Sequence, residues 1–307
     1  MLALVRRYIA HRRKMGYLVN DAAQRLPDFG RFADRLAPGM PLTTEIALQW
    51  ATSRPTRRRA TQANLLGFVR SFARYCAALD PRTEIPGTHL LGPRYQRVRP
   101  HIYTKRQTRL ILRRARALTT HFSPLHPLTD ETLIGLLACT GMRPGEARQL
   151  RLYDLDTETG HLRIAPCKSS PERVIPLHAS MVRALQRYRA ARRRFFPFGE
   201  HLFVGATGRP LSQVMTDRIF ARLTRGIASN GQRPSLRLLD YRHTFASNWI
   251  SEWSRQSKPV SHHLLLLARY LGHHDFGSTW WYVTSDPKTL QAAAHSFRRF
   301  HEKGARL

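Results

Sequence analysis

The chain contains 307 residues, which is more than one compact domain usually holds, so the sequence predicts two domains. Its 51 lysine and arginine residues against 20 aspartate and glutamate residues give a formal net charge of +31. Such a charge opposes compaction unless an anionic partner is near, and a nucleic acid is the commonest such partner. The three cysteines, Cys76, Cys139 and Cys167, are odd in number and widely spaced, which argues against a disulfide framework.

The sequence lacks the patterns of a secreted or membrane-spanning chain. The N-terminal segment MLALVRRYIAHRRK interrupts its apolar run with arginines after five residues, so it has no signal-peptide core. The longest later apolar run, LLLLA at 264–268, is too short to cross a bilayer. We therefore expect a cytoplasmic protein with no membrane partner.

Residues 1–95 are predicted to form a helical domain. In ATQANLLGFVRSFARYCAAL the apolar residues Leu65, Val69, Phe72 and Cys76 recur every three or four positions, which is the pattern of one buried helix face. Just before this helix, SRPTRRRA carries three consecutive arginines, Arg57, Arg58 and Arg59. A solvated run of charge is one interpretation, but beside the total charge we expect these arginines to contact nucleic-acid phosphates.

A linker is predicted at residues 96–101, at the end of a stretch rich in proline and glycine that has no sustained period. The second domain is then expected to span residues 102–296, with a C-terminal tail at 297–307. In this domain Thr104 is a candidate N-cap. LTDETLIGLLACTG predicts a helix that starts at Thr129 or Asp130 and stops at Gly141.

RPGEARQL predicts a further helix with Pro144 in its first turn, so Arg143 is expected at a tight junction between two helices. HLRIAP at 161–166 and RVIPL at 173–177 predict a pair of strands, and the pattern is helical again from residue 178. A further helix could begin at Pro287 or Lys288. The expected fold class is mainly α with a small β-hairpin or sheet.

Four segments occur in one order along the second domain: TGMRPGEARQL, CKSSPERVIPL, LLDYRHTFAS and LGHHDFGSTWWY. In this order they resemble the first arginine box, the lysine-bearing β-hairpin, the second arginine box and the terminal tyrosine box of the tyrosine recombinase or phage integrase family. The spacing agrees, since Arg173 follows Lys168 by five residues and His273 precedes Tyr282 by nine. The resemblance covers residues 102–296 directly. The first domain is similar to the family's core-binding domain in position and character.

The resemblance implies a two-domain DNA clamp and a site-specific recombinase or integrase. Such an enzyme cleaves and rejoins DNA through a covalent 3′-phosphotyrosine, with no metal, no ATP and no other cofactor, and here we expect it to serve a mobile element by integration or transposition. The implied catalytic residues are Arg143, Lys168, Arg242, His273 and Tyr282.

The residue types fit that chemistry. The transition state of phosphoryl transfer gathers negative charge on nonbridging oxygens, and arginine offers a charged planar fork to two such oxygens. Tyr282 is the implied nucleophile, and because a tyrosine has a pKa of about 10 it needs a cationic setting and a proton acceptor. Lys168, one of six lysines, is the implied general acid for the leaving 5′ oxygen. His273 is the implied hydrogen-bond donor to the phosphate.

Glu146 and Asp240 match acidic positions of the family that we expect to orient the arginines. The second box departs from the family pattern, in which a histidine stands three residues before the arginine: here that residue is Leu239. His243, four residues after Leu239, could partly replace the missing donor. Losing one charge stabiliser slows such a reaction on the order of 10 to 1000-fold without abolishing it. The alternative function is a recombinase-derived DNA-binding protein with weak or no strand transfer of its own.

LGHHDFGSTWWY has two other interpretations. His273, His274 and Asp275 could join His262 and His263 in a metal site, but no CxxC or HExxH pattern supports one, so no metal is predicted. Trp280 and Trp281 are expected to be packing residues.

Double-stranded DNA is the expected partner. The resemblance further implies a homotetramer on two DNA sites, in which residues 287–300 would be exchanged between subunits, and it allows cooperation with sister recombinases. Target sequence and biological role are not predicted by one chain, because phosphate contacts carry little sequence information.

Overall fold

The structure, a computed structural model, describes residues 1–93, 100–119, 123–166, 171–227, 236–256, 260–273 and 279. The chain divides into two compact units, Met1–Arg97 and Val98–Leu307. The described residues are mostly helical with one small antiparallel sheet, which confirms the predicted fold class. The predicted tail helix and most of the predicted linker lie outside the described residues, and the expected boundaries and roles of the domains stay predictions.

The first unit contains helices α1 (Leu2–Lys14), α2 (Asn20–Leu36), α3 (Thr44–Thr52) and α4 (Arg59–Ala77). The predicted face of α4 is buried, so Leu65, Val69, Phe72 and Cys76 all lie in the apolar core. Phe29 meets both Trp50 and Phe72 edge to face in this core. Burial of each such large side chain stabilises the fold by about 1.5–3 kcal/mol.

The second unit begins with α5 (Lys105–Arg116), α6 (His126–Thr140) and the short α7 (Pro144–Gln149). Strands β1 (Leu155–Asp156), β2 (His161–Ile164) and β3 (Arg173–Pro176) form an antiparallel sheet in the order β1-β2-β3. Helices α8 (Ala179–Phe195), α9 (Gln213–Leu223), α10 (Asp240–Arg255) and α11 (Val260–Leu271) follow. The strand pair is confirmed, whereas β1 was not predicted.

Helix α6 packs against α5, α8 and α10, so it holds a central position in the second unit. It ends at Gly141, which has a positive φ of 62° and is the predicted stop. Pro144 is the first residue of α7, which confirms that Arg143 stands at a tight junction between two helices. Thr104 also caps α5 as predicted, because its side chain accepts a hydrogen bond from the backbone N of Gln107.

The predicted start of α6 at Thr129 or Asp130 is wrong. The helix begins at His126, and both side chains lie buried within its first turns. The Thr129 hydroxyl donates to the carbonyl of Leu125 at 3.0 Å, and Asp130 pairs with His126 Nδ1 at 3.1 Å. Threonine and aspartate can make such local bonds inside a helix as well as at its start, so their presence alone does not mark an N-cap.

None of the described helices combines the length and the apolar character needed to cross a bilayer.

Candidate active site

Arg143 is held at the junction between α6 and α7 by two partners. Its backbone N and Nη1 donate to the Glu146 carboxylate at 2.9 and 3.0 Å. The other side of its guanidinium reaches the carbonyl of Gly272, at 3.4 Å from Nη1 and 3.3 Å from Nη2. The side chain remains 28% exposed. Arg143 is therefore oriented by the protein and still accessible to a ligand.

Glu146 links Arg143 to the sheet. Its buried carboxylate accepts from Arg173 Nη2 at 2.6 Å and from Arg173 Nη1 at 3.2 Å, in addition to the bonds from Arg143. Burial alone would raise the pKa of Glu146, but the hydrogen bonds and charge of Arg173, followed by those of Arg143, outweigh it and lower the pKa. Glu146 is thus an anion bound to two arginines. Its contact with Arg143 is the one that its expected orienting role requires.

Arg242, on α10, is almost fully buried at 3% exposure. Its Nη1 donates to the carbonyl of Gly141 at 3.1 Å, and its Nη2 donates to the carbonyl of Leu271 at 2.7 Å. A side chain at position 141 would collide with Phe245, since a Cβ there would lie 2.7 Å from the ring. Glycine therefore both ends α6 and lets α10 approach closely enough for Arg242 to reach the end of that helix.

His273 follows the end of α11. Gly272 adopts a positive φ of 70°, and the backbone N of His273 donates to the carbonyl of Ala268 at 3.0 Å. The ring Nδ1 lies 2.6 Å from Thr279 Oγ1, a contact that orients the half-buried imidazole. The two carbonyls before His273 are those that hold Arg242 and Arg143. The structure thus brings together three predicted site residues, Arg143, Arg242 and His273, around one turn of the chain.

Lys168 and Tyr282 lie outside the described residues, so the structure does not locate the implied general acid or the implied nucleophile. The strands that flank the Lys168 hairpin are described. Ile164 of β2 pairs with Arg173 of β3, and Arg173 is bound to Glu146. The base of the hairpin is therefore anchored to the residue that orients Arg143.

Asp240 has a different partner from the one expected. Its fully buried carboxylate accepts from the backbone N of Arg237 at 3.2 Å and from Arg237 Nη2 at 2.7 Å. Asp240 therefore contacts Arg237 rather than a predicted catalytic arginine, and its expected orienting role stays a prediction. The physical reason is that helix side chains tilt toward the N-terminus, which aims this first residue of α10 back at the preceding turn. His243 is half-buried on α10, and its expected contribution stays a prediction.

A cavity of about 860 Å³ lies beside this cluster. Arg143 and Glu146 line one part of it, Ala165 and Pro166 after β2 line another, and Arg237 and Leu239 line a third. Leu239 stands in the turn before α10 and is half-buried. The residue that replaces the expected histidine therefore faces the same cavity as Arg143 and offers it no hydrogen-bond donor.

The three arginines predicted to bind phosphates lie at the start of α4 in the first unit. Arg58 precedes the helix and Arg59 is its first residue, and both are exposed. Arg57 is half-buried and lines a cavity of about 400 Å³ together with Arg25 and Asn64. Two arginines and an asparagine thus share one concave surface of this unit with the acidic Asp21.

Within the ranges that the structure describes, no three His, Cys, Asp or Glu side chains are grouped closely enough to hold a metal ion. His274 and Asp275 of the alternative metal hypothesis lie outside those ranges.

Sequence reasoning missed two arginines of this region. In the sequence, Arg173 was used only to compare its distance from Lys168 with the family pattern. In the structure it is the main partner of Glu146. Arg237, the partner of Asp240, was not singled out at all. The sequence offered only the presence of a basic residue within reach of each acidic one. In so basic a chain most acidic residues have such a neighbour, so this does not identify a pair.

The sequence model described as "Phage integrase family" matches residues 109–289, which is more than half of the chain. The chain belongs to the phage integrase family. This membership confirms the resemblance on which the site residues were chosen and identifies DNA recombination as the general process.

Two relatives illustrate the range of this family. A protein of Sinorhizobium fredii named for an integrase or recombinase, y4rB, is 36% identical over 304 residues, which are 96% of this chain and 96% of that protein. The tyrosine recombinase XerC of Chlamydia pneumoniae is 27% identical over 196 residues, which are 63% of this chain and 60% of XerC.

Solved structures of integrases and Xer recombinases share the fold. The Tn1549 transposon integrase in complex with transposon right end DNA superimposes with a TM-score of 0.68 at 18% identity, covering 96% of this chain and 98% of that one. XerH bound to its difH substrate superimposes with a TM-score of 0.64 at 19% identity, covering 91% and 80%.

Proposed function

We propose that this protein is a site-specific recombinase that cleaves and rejoins double-stranded DNA through a covalent 3′-phosphotyrosine formed by Tyr282. One observation carries the proposal. The carbonyls of two consecutive residues, Leu271 and Gly272, hold Arg242 and Arg143, and His273 comes next. Two oriented cations and an imidazole beside them are the donors that a phosphodiester needs when charge develops on its nonbridging oxygens.

The division of labour between the arginines follows from their exposure. Arg143 is held by Glu146 and by the carbonyl of Gly272 but stays 28% exposed, so the N–H groups not used in these bonds can reach the phosphate. Arg242 is buried and satisfied by two carbonyls, so it provides fixed positive charge from within the protein. Fixed charge of this kind needs no reorganisation when the transition state forms.

In the proposed reaction the phenol of Tyr282 gives up its proton to solvent and its oxygen attacks phosphorus. A bond forms between the tyrosine oxygen and phosphorus, and the bond to the 5′ oxygen breaks. Lys168 gives its proton to that 5′ oxygen, because an unprotonated alkoxide leaves poorly. The phosphotyrosine retains the energy of the broken bond. A 5′ hydroxyl, after losing its proton to the lysine, can therefore reverse the step on a new strand without ATP.

The partners proposed are double-stranded DNA and three further copies of the chain, as a homotetramer on two DNA sites; sister recombinases are the alternative partners in that assembly. The net charge of +31 supports an anionic partner. The proposed context is a mobile element. Inverted repeats or neighbouring recombinase genes in the DNA that flanks the gene would support this context, and their absence would count against it.

A second candidate function is supported by Leu239, which lines the cavity beside Arg143 without a donor. In this alternative the protein binds DNA and contributes to assembly, but transfers strands weakly or not at all.

The two candidates differ in one measurable product. A duplex containing a site selected by the full-length protein from a random pool is nicked beside that site, so that a cleaved fragment diffuses away and a covalent adduct accumulates. The proposed function predicts an adduct with the wild-type protein and none with Tyr282→Phe, at equal DNA affinity. An adduct that persists in Tyr282→Phe would exclude Tyr282 as the nucleophile. DNA binding without any wild-type adduct would favour the binding-only alternative.

A further inference from the structure

Arg237 lies two residues before Leu239, in the turn that leads into α10, and its side chain lines the same cavity as Arg143 and Glu146. The missing histidine and this additional arginine are therefore neighbours on one short segment. Arg237 neutralises Asp240, and its remaining N–H groups could also bind a ligand.

The position of Arg237 is fixed from both sides. Its Nη2 and its backbone N donate to Asp240, which is fully buried, and its carbonyl accepts from the hydroxyl of Tyr103 at 3.0 Å. A guanidinium held in this way loses little further conformational freedom when it binds an anion. Arg237 is therefore preorganised in the cavity.

Arg237 keeps most of its donors. A guanidinium has five N–H groups, and the bond to Asp240 uses one of them. Nε is buried and has no hydrogen-bond partner within the described part of the chain, and no bond is made there by Nη1. The side chain is 36% exposed, whereas Asp240 is 0% exposed. The ion pair thus holds one corner of the guanidinium, and the partly exposed side chain keeps unused N–H groups on Nη1 and Nη2.

We infer that Arg237 binds a nonbridging oxygen of the cleaved phosphate and supplies the hydrogen-bond donor that Leu239 lacks. The inference rests on the proposed function, since it takes a DNA phosphodiester as the ligand of this cavity. Arginine suits the task because its fork can keep one N–H on Asp240 while other N–H groups face the phosphate. Asp240 then acts as the positioning residue for Arg237.

The test compares two nicked duplexes that differ at the cleaved linkage. One has an ordinary phosphodiester, and the other has a methylphosphonate, in which a methyl group replaces one charged oxygen. With the phosphodiester, Arg237→Ala should form the Tyr282 adduct on the order of 10 to 1000-fold more slowly than wild type. With the neutral methylphosphonate most of this difference should disappear. Equal losses on both substrates would show a merely structural effect and overturn the inference.

Two controls address folding. Arg187→Ala removes an exposed arginine of α8 that does not line the cavity, and it should leave both rates unchanged. Because Arg237→Ala takes a partner from buried Asp240, its melting temperature is measured alongside. Leu239→His is then added to Arg237→Ala. This change restores the expected donor without restoring the ion pair, so it should recover the rate on the phosphodiester by 10-fold or more. Failure to recover in a folded double variant would contradict the inference.

The failure of the proposed function is distinguishable from the failure of this inference. If the wild-type protein forms no adduct, the recombinase reaction is rejected. The contact between Arg237 and the phosphate is then tested by DNA-binding measurements instead. Single methylphosphonates are placed along the site, and affinities of wild type and Arg237→Ala are compared at each position. Support requires that neutralising the linkage at the expected cleavage point weakens wild-type binding but not binding by the variant. Coupling at another linkage, or at none, overturns the assignment.

Discussion

The two units of this protein place their charges differently. In the described part of the first unit, the buried polar residues are few, namely Gln62 and Arg70, and most arginines lie at the surface. The second unit buries charged side chains as well as apolar ones, among them Asp130, Asp154, Arg173, Asp240 and Arg242. The first unit thus keeps most of its charge at the surface, whereas the second buries charged side chains that set the geometry of the candidate site. Removing charge from each unit should therefore have different consequences.

The largest effect on the rate of adduct formation is expected from Arg242→Lys in the second unit. A lysine keeps the charge but cannot reach two carbonyls with a planar fork, so one of the groups that Arg242 satisfies is left buried without a partner. We expect adduct formation to fall about 100 to 1000-fold and the free energy of unfolding to fall by about 1.5–3 kcal/mol. Rates on the nicked duplex and urea denaturation measure the two effects. Arg187→Lys, at an exposed position of the same unit, is the matched control. Equal effects of both changes would show that the buried position of Arg242 has no special importance.

The largest loss of stability is expected from Glu146→Gln, because it removes the anion between Arg143 and Arg173. Breaking a buried ion pair by removing one partner costs about 3–5 kcal/mol, and the amide retains some hydrogen bonding, so we expect a loss near the lower end of that range. Thermal and urea unfolding measure it. A change within the error of the measurement would mean that the two arginines are held adequately without Glu146.

The same pair predicts a pH dependence. The pKa of Glu146 is lowered in the folded protein, so its stabilisation is complete above the unfolded pKa of about 4.3 and is lost as the pH falls through the folded pKa. The difference in unfolding free energy between wild type and Glu146→Gln should therefore be constant near neutral pH and shrink below about pH 4.3. A difference that grows on acidification would have the wrong sign.

In the first unit, replacing Arg57, Arg58 and Arg59 together by alanine should weaken DNA binding without loosening the fold. Each lost phosphate contact lowers the slope of log affinity against log salt by about 1, so the slope should fall by up to about 3. The free energy of unfolding should change by no more than about 0.5 kcal/mol. The control is the triple change of Arg6, Arg7 and Arg13 to alanine on α1, which removes the same charge from exposed positions. Equal slopes for both triple variants would show that only total charge matters.

The smallest effect is expected at His126, whose partner Asp130 is buried in α6. The hydrogen bond to Asp130 raises the pKa of His126, against burial and the charge of Arg222. A raised pKa means that the stabilisation is complete below the unfolded value of about 6.5 and is lost as the pH rises through the folded pKa. Asp130→Asn should therefore reduce the decline in melting temperature between slightly acid and slightly alkaline pH. An unchanged decline would exclude this pair as its source.

Local elements of the fold were predictable where the signal lies within a few residues. The buried face of α4, the cap at Thr104, the stop at Gly141 and the strand pair around the hairpin all follow from such short-range patterns. The start of α6 was not predictable from Thr129 or Asp130, because inside the helix these side chains bond to Leu125 and His126 instead of capping its first turn. The site was predicted as a set of residues from the family resemblance, but their partners were not.

By itself the sequence determined the mostly helical class, the positive surface and the order of the four motifs, because periodicity, composition and spacing are properties of the chain. Only the tertiary structure decided that Arg143 and Arg242 are held by the carbonyls of Gly272 and Leu271, far along the chain. It also decided that Asp240 binds Arg237. Backbone carbonyls are the same at every residue, and a carboxylate can pair with any nearby cation. Which of these groups pair depends on their distance in the folded protein, and a local pattern of residues does not contain that distance.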